Sequence, residues 1–225
     1  RGSRGFTLVE LMVRVALGMF LMIGLISLIV STTTSRSELD KSSRQIENGR
    51  YAMQLLSQDI QEAGFLGETS SSSFAPLTPV ACPSTLSDLQ YSPSSTPGAS
   101  TIPMPIYALT VAPTCLSNVV AGTAMLLVSR VDTATVARAS ATATEYYLQI
   151  SACANDTMPF VAARGAPTSA FNLMQKDCTA ANPAPLRKVM QRIYFVSSCN
   201  VCSPATGADT TPTLKVAEFV NGAMT

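Results

Sequence analysis

The sequence predicts an α+β chain, with one long N-terminal helix followed by a loop-rich head built on an antiparallel sheet. Three observations carry this. All 14 prolines lie at Pro76 or later, and proline breaks helix interiors. Residues 6–30 are a nearly uninterrupted apolar run, and residues 35–67 turn amphipathic at helical spacing. Downstream, the segments 124–131, 145–150, 189–196 and 215–220 are rich in β-branched and aromatic residues and are separated by turn formers. The expected divisions are therefore a short N-terminal piece (1–5), an apolar helix (6–30), an amphipathic continuation (31–67) and a β head (68–225).

The apolar run, FTLVELMVRVALGMFLMIGLISLIV, would reach about 37 Å as a helix, enough to cross a hydrocarbon core of about 30 Å. A buried core helix needs only a stripe of this character. A cleaved secretory signal has a shorter apolar region and a small-residue cleavage site, whereas STTTSRS follows here. No cysteine precedes Cys82, so a lipoprotein signal is absent as well. Arg1 and Arg4 before the run predict a cytoplasmic N-terminus and a head on the far side of the membrane. Glu10 and Arg14 are the two charges inside the run. A charge at the bilayer centre costs roughly 2.5–3.5 kcal/mol, and less near a helix end. Four residues apart, they share a face and can pair, with the acid on the favoured N-terminal side.

From Ser35 the sequence reads SRSELDKSSRQIENGRYAMQLLSQDIQEAGFLGE. Leu39, Ile46, Met53 and Ile60 recur every seven residues, and Ser42, Gly49, Leu56 and Ala63 fill the second seam position. This stripe is expected to pack on the head, with Gly64 and Gly67 stopping the helix. One helix over residues 6–64 would be about 88 Å long.

Charge and composition narrow the function. The chain has 15 Lys and Arg, 14 Asp and Glu, and no His or Trp. Charged residues make up 13%, about half the roughly 25% of ordinary soluble domains. Without histidine, a Ser-His-Asp triad, a Cys-His dyad and a metzincin helix are excluded. No nucleophile elbow, phosphate-binding loop or dinucleotide fingerprint occurs. No enzyme activity, cofactor or metal is expected. Residues 69–225 carry eight basic and seven acidic groups over 157 positions, a balance that argues against direct nucleic-acid binding.

Six cysteines, Cys82, Cys115, Cys153, Cys178, Cys199 and Cys202, all fall in the head. An even number in an oxidising compartment reads as disulfides. Of the 15 pairings that six cysteines allow, local spacing favours Cys82–Cys115, Cys153–Cys178 and Cys199–Cys202. The C-x-x-C at Cys199-Asn-Val-Cys202 also invites a redox or zinc reading. A redox motif needs a helix after its first cysteine, but Pro204 and SPATGADTTP follow. A zinc site needs a second ligand pair, and the other cysteines stand alone. A structural bridge is the expectation.

The stretch Arg4-Gly5-Phe6-Thr7-Leu8-Val9-Glu10-Leu11, leading into the apolar run, resembles the class III signal of type IV prepilins. The resemblance implies a prepilin peptidase that cuts after Gly5 and methylates Phe6. It makes Glu10 the filament-assembly residue and residues 1–5 the end of a leader. The stretch Glu47-Asn48-Gly49-Arg50-Tyr51-Ala52, then Leu55-Leu56, Asp59-Ile60 and Ala63-Gly64-Phe65-Leu66-Gly67, looks like the PilW type of minor pilin. Segments 124–130, 146–148 and 192–196 agree more weakly. The specific motifs end at Gly67.

This resemblance implies a type IV pilin-like fold and a low-abundance subunit that helps initiate type IV pili at or near the tip. Implied partners are other minor and major pilins, prepilin peptidase, the inner-membrane assembly machinery and a large tip adhesin. The implied location is the bacterial inner membrane with a periplasmic head, then the extracellular pilus, which serves twitching motility, adhesion and DNA uptake. Two alternatives remain open: a minor pseudopilin of type II secretion, and a signal-anchored periplasmic thiol-redox protein using Cys199 and Cys202. Arg14 stands where the family has an apolar residue, giving Glu10 a partner in its own helix. Relatives in that family tend to be longer, which leaves open a head with further C-terminal strands.

Overall fold

The structure, a computed structural model, describes residues 7–69 and 73–225. It divides into two units, Arg1–Leu55 and Leu56–Thr225. Helix α1, Leu8–Gln61, is a single 54-residue element whose residues 56–61 belong to the second unit. No proline interrupts it, and threonines 32, 33 and 34 keep their hydroxyls satisfied inside the helix. Each donates back to the carbonyl four residues earlier, at Leu28, Ile29 and Val30, at 2.9, 2.9 and 3.0 Å. The helix ends at Gln61, and the turn after it reaches Gly64, whose φ of +73° is the left-handed conformation that glycine adopts without strain.

The second unit holds the sheet. Its strands are β1 (Ala75–Leu77), β2 (Thr101–Pro103), β3 (Ile106–Leu109), β4 (Met125–Val131), β5 (Tyr146–Ile150), β6 (Phe160–Arg164), β7 (Leu186–Ser197), β8 (Thr213–Val220) and β9 (Ala223–Met224). The four strands expected from composition are β4, β5, β7 and β8. A short parallel pair, β1 with β2, stands apart from a seven-stranded sheet whose pairings are all antiparallel.

Strand β7 organises that sheet. Residues 189–194 pair with β4 along one edge. Along the other edge, residues 186–188 pair with β5 and residues 192–197 with β8. Most of its side chains are buried on both faces, the polar Gln191 and Ser197 among them. One face carries Met125, Leu127, Val131, Val189, Ile193, Phe195, Ala217 and Phe219, all buried. Leu89, Tyr91, Ile102, Leu116 and Val119 from the loop-rich segment cover that face. Gln191 ties the cover down by donating to the Val80 carbonyl at 2.6 Å. The opposite face carries Arg130, Arg192 and Tyr194, where the end of α1 is anchored.

The chain leaving the helix is stitched to β4. The Gly64 amide donates to the Ser129 carbonyl at 3.0 Å, and the Val131 amide donates to the Phe65 carbonyl at 2.9 Å. At the other end of the sheet, buried Gln149 holds the loop after β6. Its amide donates to the Leu173 and Ala184 carbonyls at 3.2 and 2.7 Å and accepts from the Leu173 amide at 3.0 Å.

Candidate functional site

Gly5 and Phe6 lie outside the described residues. Just after them, Thr7 precedes the first helical turn and accepts the Glu10 amide at 3.4 Å, the geometry of a capping threonine. Glu10 thus sits in the first turn of α1, where the helix dipole favours an acid. Its carboxylate accepts from Arg14 Nη2 at 2.6 Å. The intrahelical pair that the spacing allows is formed. The threonine in the capping position went unnoticed in the sequence, although Thr-x-x-Glu before an apolar run is its signature.

Around this pair the helix is apolar on every side. The large apolar residues from Leu8 to Val30 are 51–81% exposed within the chain. Soluble monomers rarely expose a contiguous apolar patch beyond a few hundred Å². By length and composition this segment is one helix able to cross a membrane.

The heptad stripe runs through both units. In the first unit Leu39, Ile46 and Met53 are 69%, 62% and 66% exposed, and in the second Ile60 is 40% exposed. The face buried in the second unit contains Asp59, with Leu56 and Ala63 half-buried. That face thus combines the seam residues Leu56 and Ala63 with a buried carboxylate, to which the head offers cations and a phenol.

Asp59 is 2% exposed and occupies the middle of a charged cluster. Arg192 Nη1 donates to both of its oxygens at 2.9 Å, Arg130 Nη2 donates to Oδ1 at 3.1 Å, and the Tyr194 hydroxyl donates to Oδ2. Each arginine has a second acid: Arg130 Nη1 lies 3.0 Å from Glu62, and Arg192 Nη2 lies 3.4 Å from Glu218. Burial pushes the Asp59 carboxyl up, but the hydrogen bonds from Tyr194 and Arg192 and the two guanidinium charges outweigh it. The carboxyl is held below its ordinary 3.8. Burial first, and then the bond to Asp59, raise the Tyr194 phenol above its ordinary 10.0. For Arg192 burial opposes the charge, and Asp59 more than offsets it, raising its pKa. The sequence offered no local signal for this cluster, since Arg130 and Arg192 lie 71 and 133 residues from Asp59.

All six cysteines are paired as Cys82–Cys115, Cys153–Cys178 and Cys199–Cys202, with Cα separations of 5.8, 5.1 and 5.3 Å. These are the pairings that local spacing favours. In the chain-entropy picture, the 33-residue separation of the first contributes about 3.7 kcal/mol and the three-residue separation of the last about 1.6 kcal/mol. After Cys199 the chain forms only a one-turn 3-10 segment, Pro204–Thr206, and no α-helix. That is the loop chemistry read from Pro204. No protein-family model matches the chain, and no curated protein or solved structure matches it significantly.

Proposed function

We propose that the chain is a structural, non-enzymatic minor pilin of the PilW type. It would help initiate assembly of type IV pili and sit at or near the tip. The observation that carries this reading is the prepilin-like stretch Gly5-Phe6-Thr7-Leu8-Val9-Glu10 at the start of a helix with no apolar side chain covered over residues 8–30. The same helix ends in a disulfide-bonded antiparallel sheet. In this reading a prepilin peptidase cuts after Gly5 on the cytoplasmic side, and the helix stays in the inner membrane as an anchor. The head is periplasmic, where its three disulfides persist. On extraction the helix exchanges lipid for the helices of other minor and major pilins, and a large adhesin is the expected neighbour at the tip. The pilus then serves motility, attachment and DNA uptake.

The Glu10–Arg14 pair has a definite part in this scheme. A lone carboxylate in an apolar medium costs several kcal/mol. Arg14 removes much of that cost while the subunit waits in lipid, and the ammonium at Phe6 of a neighbouring subunit replaces it on assembly. Glu10→Ala therefore leaves the protein in the membrane and lowers pilus number, measured by counting pili and by fractionation. Normal piliation with Glu10→Ala would overturn the assembly role.

A further inference from the structure

The three disulfides differ in what surrounds their sulfurs. In the first, Cys82 Sγ accepts from the Cys115 amide at 3.2 Å. In the second, Cys153 Sγ accepts from the Asn155 amide at 3.3 Å. In the third, the donor is a cation: Lys215 Nζ lies 3.3 Å from Cys202 Sγ. The Ser197 hydroxyl is also 3.7 and 3.6 Å from Cys199 Sγ and Cys202 Sγ. Cys202 is half-buried, whereas Cys199 is 6% exposed.

We propose that Cys199–Cys202 is an exchangeable disulfide, opened at the Cys202 sulfur by a dithiol, with Lys215 as the group that promotes the exchange. A thiolate of the dithiol, drawn by the Lys215 ammonium, attacks Cys202 Sγ. A mixed disulfide forms and the Cys199–Cys202 bond breaks, with Cys199 leaving as a thiolate beside the Ser197 hydroxyl. The second thiol of the dithiol passes its proton to Cys199. Its sulfur then attacks the dithiol's own sulfur in the mixed disulfide and expels Cys202 as a thiolate held by Lys215. Two electrons move from the dithiol, which becomes a disulfide, to the cysteine pair. A nearby cation lowers the pKa of a leaving thiol, and a lower pKa speeds its departure.

The surrounding fold tolerates the opening. Strands β7 and β8 stay zipped to the last pair, Ser197 with Thr213, through backbone bonds alone. The loop between them keeps a second fastening, because the Asp209 carboxylate accepts the amides of Asn200, Val201 and Thr211 at 2.8, 2.9 and 3.0 Å. Those backbone bonds hold the Asp209 carboxyl below its ordinary 3.8, so they persist at neutral pH. The other two bridges close separations of 33 and 25 residues, and losing either costs the folded head more stability because each restricts the unfolded chain more. The loop carrying the C-x-x-C is therefore a site of reversible thiol modification on an otherwise fixed head. It does not depend on the pilin reading.

The experiment is stepwise opening of the folded full-length chain in detergent micelles by dithiothreitol, with iodoacetamide trapping and peptide mass mapping. Cys199 and Cys202 are expected to be labelled about tenfold faster than the other four cysteines. Lys215→Gln slows their labelling about three- to tenfold, and Lys215→Arg, which keeps the charge, restores it. Protection of the four other cysteines in each variant reports that the head is folded. The proposal is overturned if either longer bridge opens first or together with Cys199–Cys202 in the unaltered protein. It is equally overturned if a folded Lys215→Gln chain opens at the unaltered rate.

Discussion

Replacing Asp59 with Asn removes one negative charge from the middle of a buried cluster and leaves two guanidinium groups and a phenol facing a neutral amide. Removing one partner of a buried ion pair costs about 3–5 kcal/mol, most of it from stranding the charge left behind. Here the stranding is partial, because Arg130 keeps Glu62 at 3.0 Å and Arg192 keeps Glu218 at 3.4 Å. The cost is therefore expected at the low end, about 3 kcal/mol. The pH dependence gives an independent handle. The carboxyl is held below its ordinary 3.8 in the folded head. Its contribution is thus fully present above pH 3.8 and is lost as pH falls through the lower folded value. Denaturant unfolding of the full chain, followed by near-ultraviolet circular dichroism at pH 7 and at pH 3, measures both. The gap between the unaltered chain and Asp59→Asn is about 3 kcal/mol at neutral pH and narrows as the solution is acidified. A gap under about 0.5 kcal/mol at pH 7, the range of an ordinary surface change, would refute the reasoning, as would a gap that does not change with pH.

Three further outcomes are expected from the head. Gln149→Leu removes the buried partner of the Leu173 amide and the Ala184 carbonyl, while the Leu173 carbonyl keeps the Ala184 amide at 2.9 Å. It costs about 2–4 kcal/mol, and hydrogen exchange at Leu173 accelerates. Gly165→Ala places a Cβ 2.3 Å from the Thr142 carbonyl oxygen; the forced shift of the 141–145 backbone costs about 1–3 kcal/mol, read from the denaturation midpoint. Replacing Cys82 and Cys115 together by Ser destabilises the head by about 2–4 kcal/mol, against about 2 kcal/mol or less for Cys199 and Cys202, compared in the same unfolding assay.

The long helix, its glycine stop and the strands β4, β5, β7 and β8 were legible in the sequence because each rests on a local pattern: unbroken apolar length, a left-handed glycine, or a β-branched and aromatic run. Strands β1, β2 and β9 were not, since two or three residues carry no periodicity. Proline at positions 76 and 103 also argues against strand, and both are tolerated because this pair stands apart from the main sheet. Strand β6 was missed because Phe-Val-Ala-Ala-Arg neither alternates nor runs long. The disulfide pairing was legible because each bridge joins cysteines that are neighbours in sequence order. Asp59 illustrates the opposite case. In sequence it belongs to a charge-dense, solvated-looking helix, and only the sheet register brings Arg130, Arg192 and Tyr194 beneath it. The stripe residues Leu56 and Ala63 flank this polar anchor, for which no spacing rule exists.

The pilin account stands or falls at the N-terminus. The most direct measurement is the mass of the N-terminal peptide after expression with a cognate prepilin peptidase that is shown to be active on a control pilin. The account predicts a chain that begins at Phe6 and carries one added methyl group on its amine. A chain that still carries Arg1-Gly2-Ser3-Arg4-Gly5 before Phe6 would contradict it.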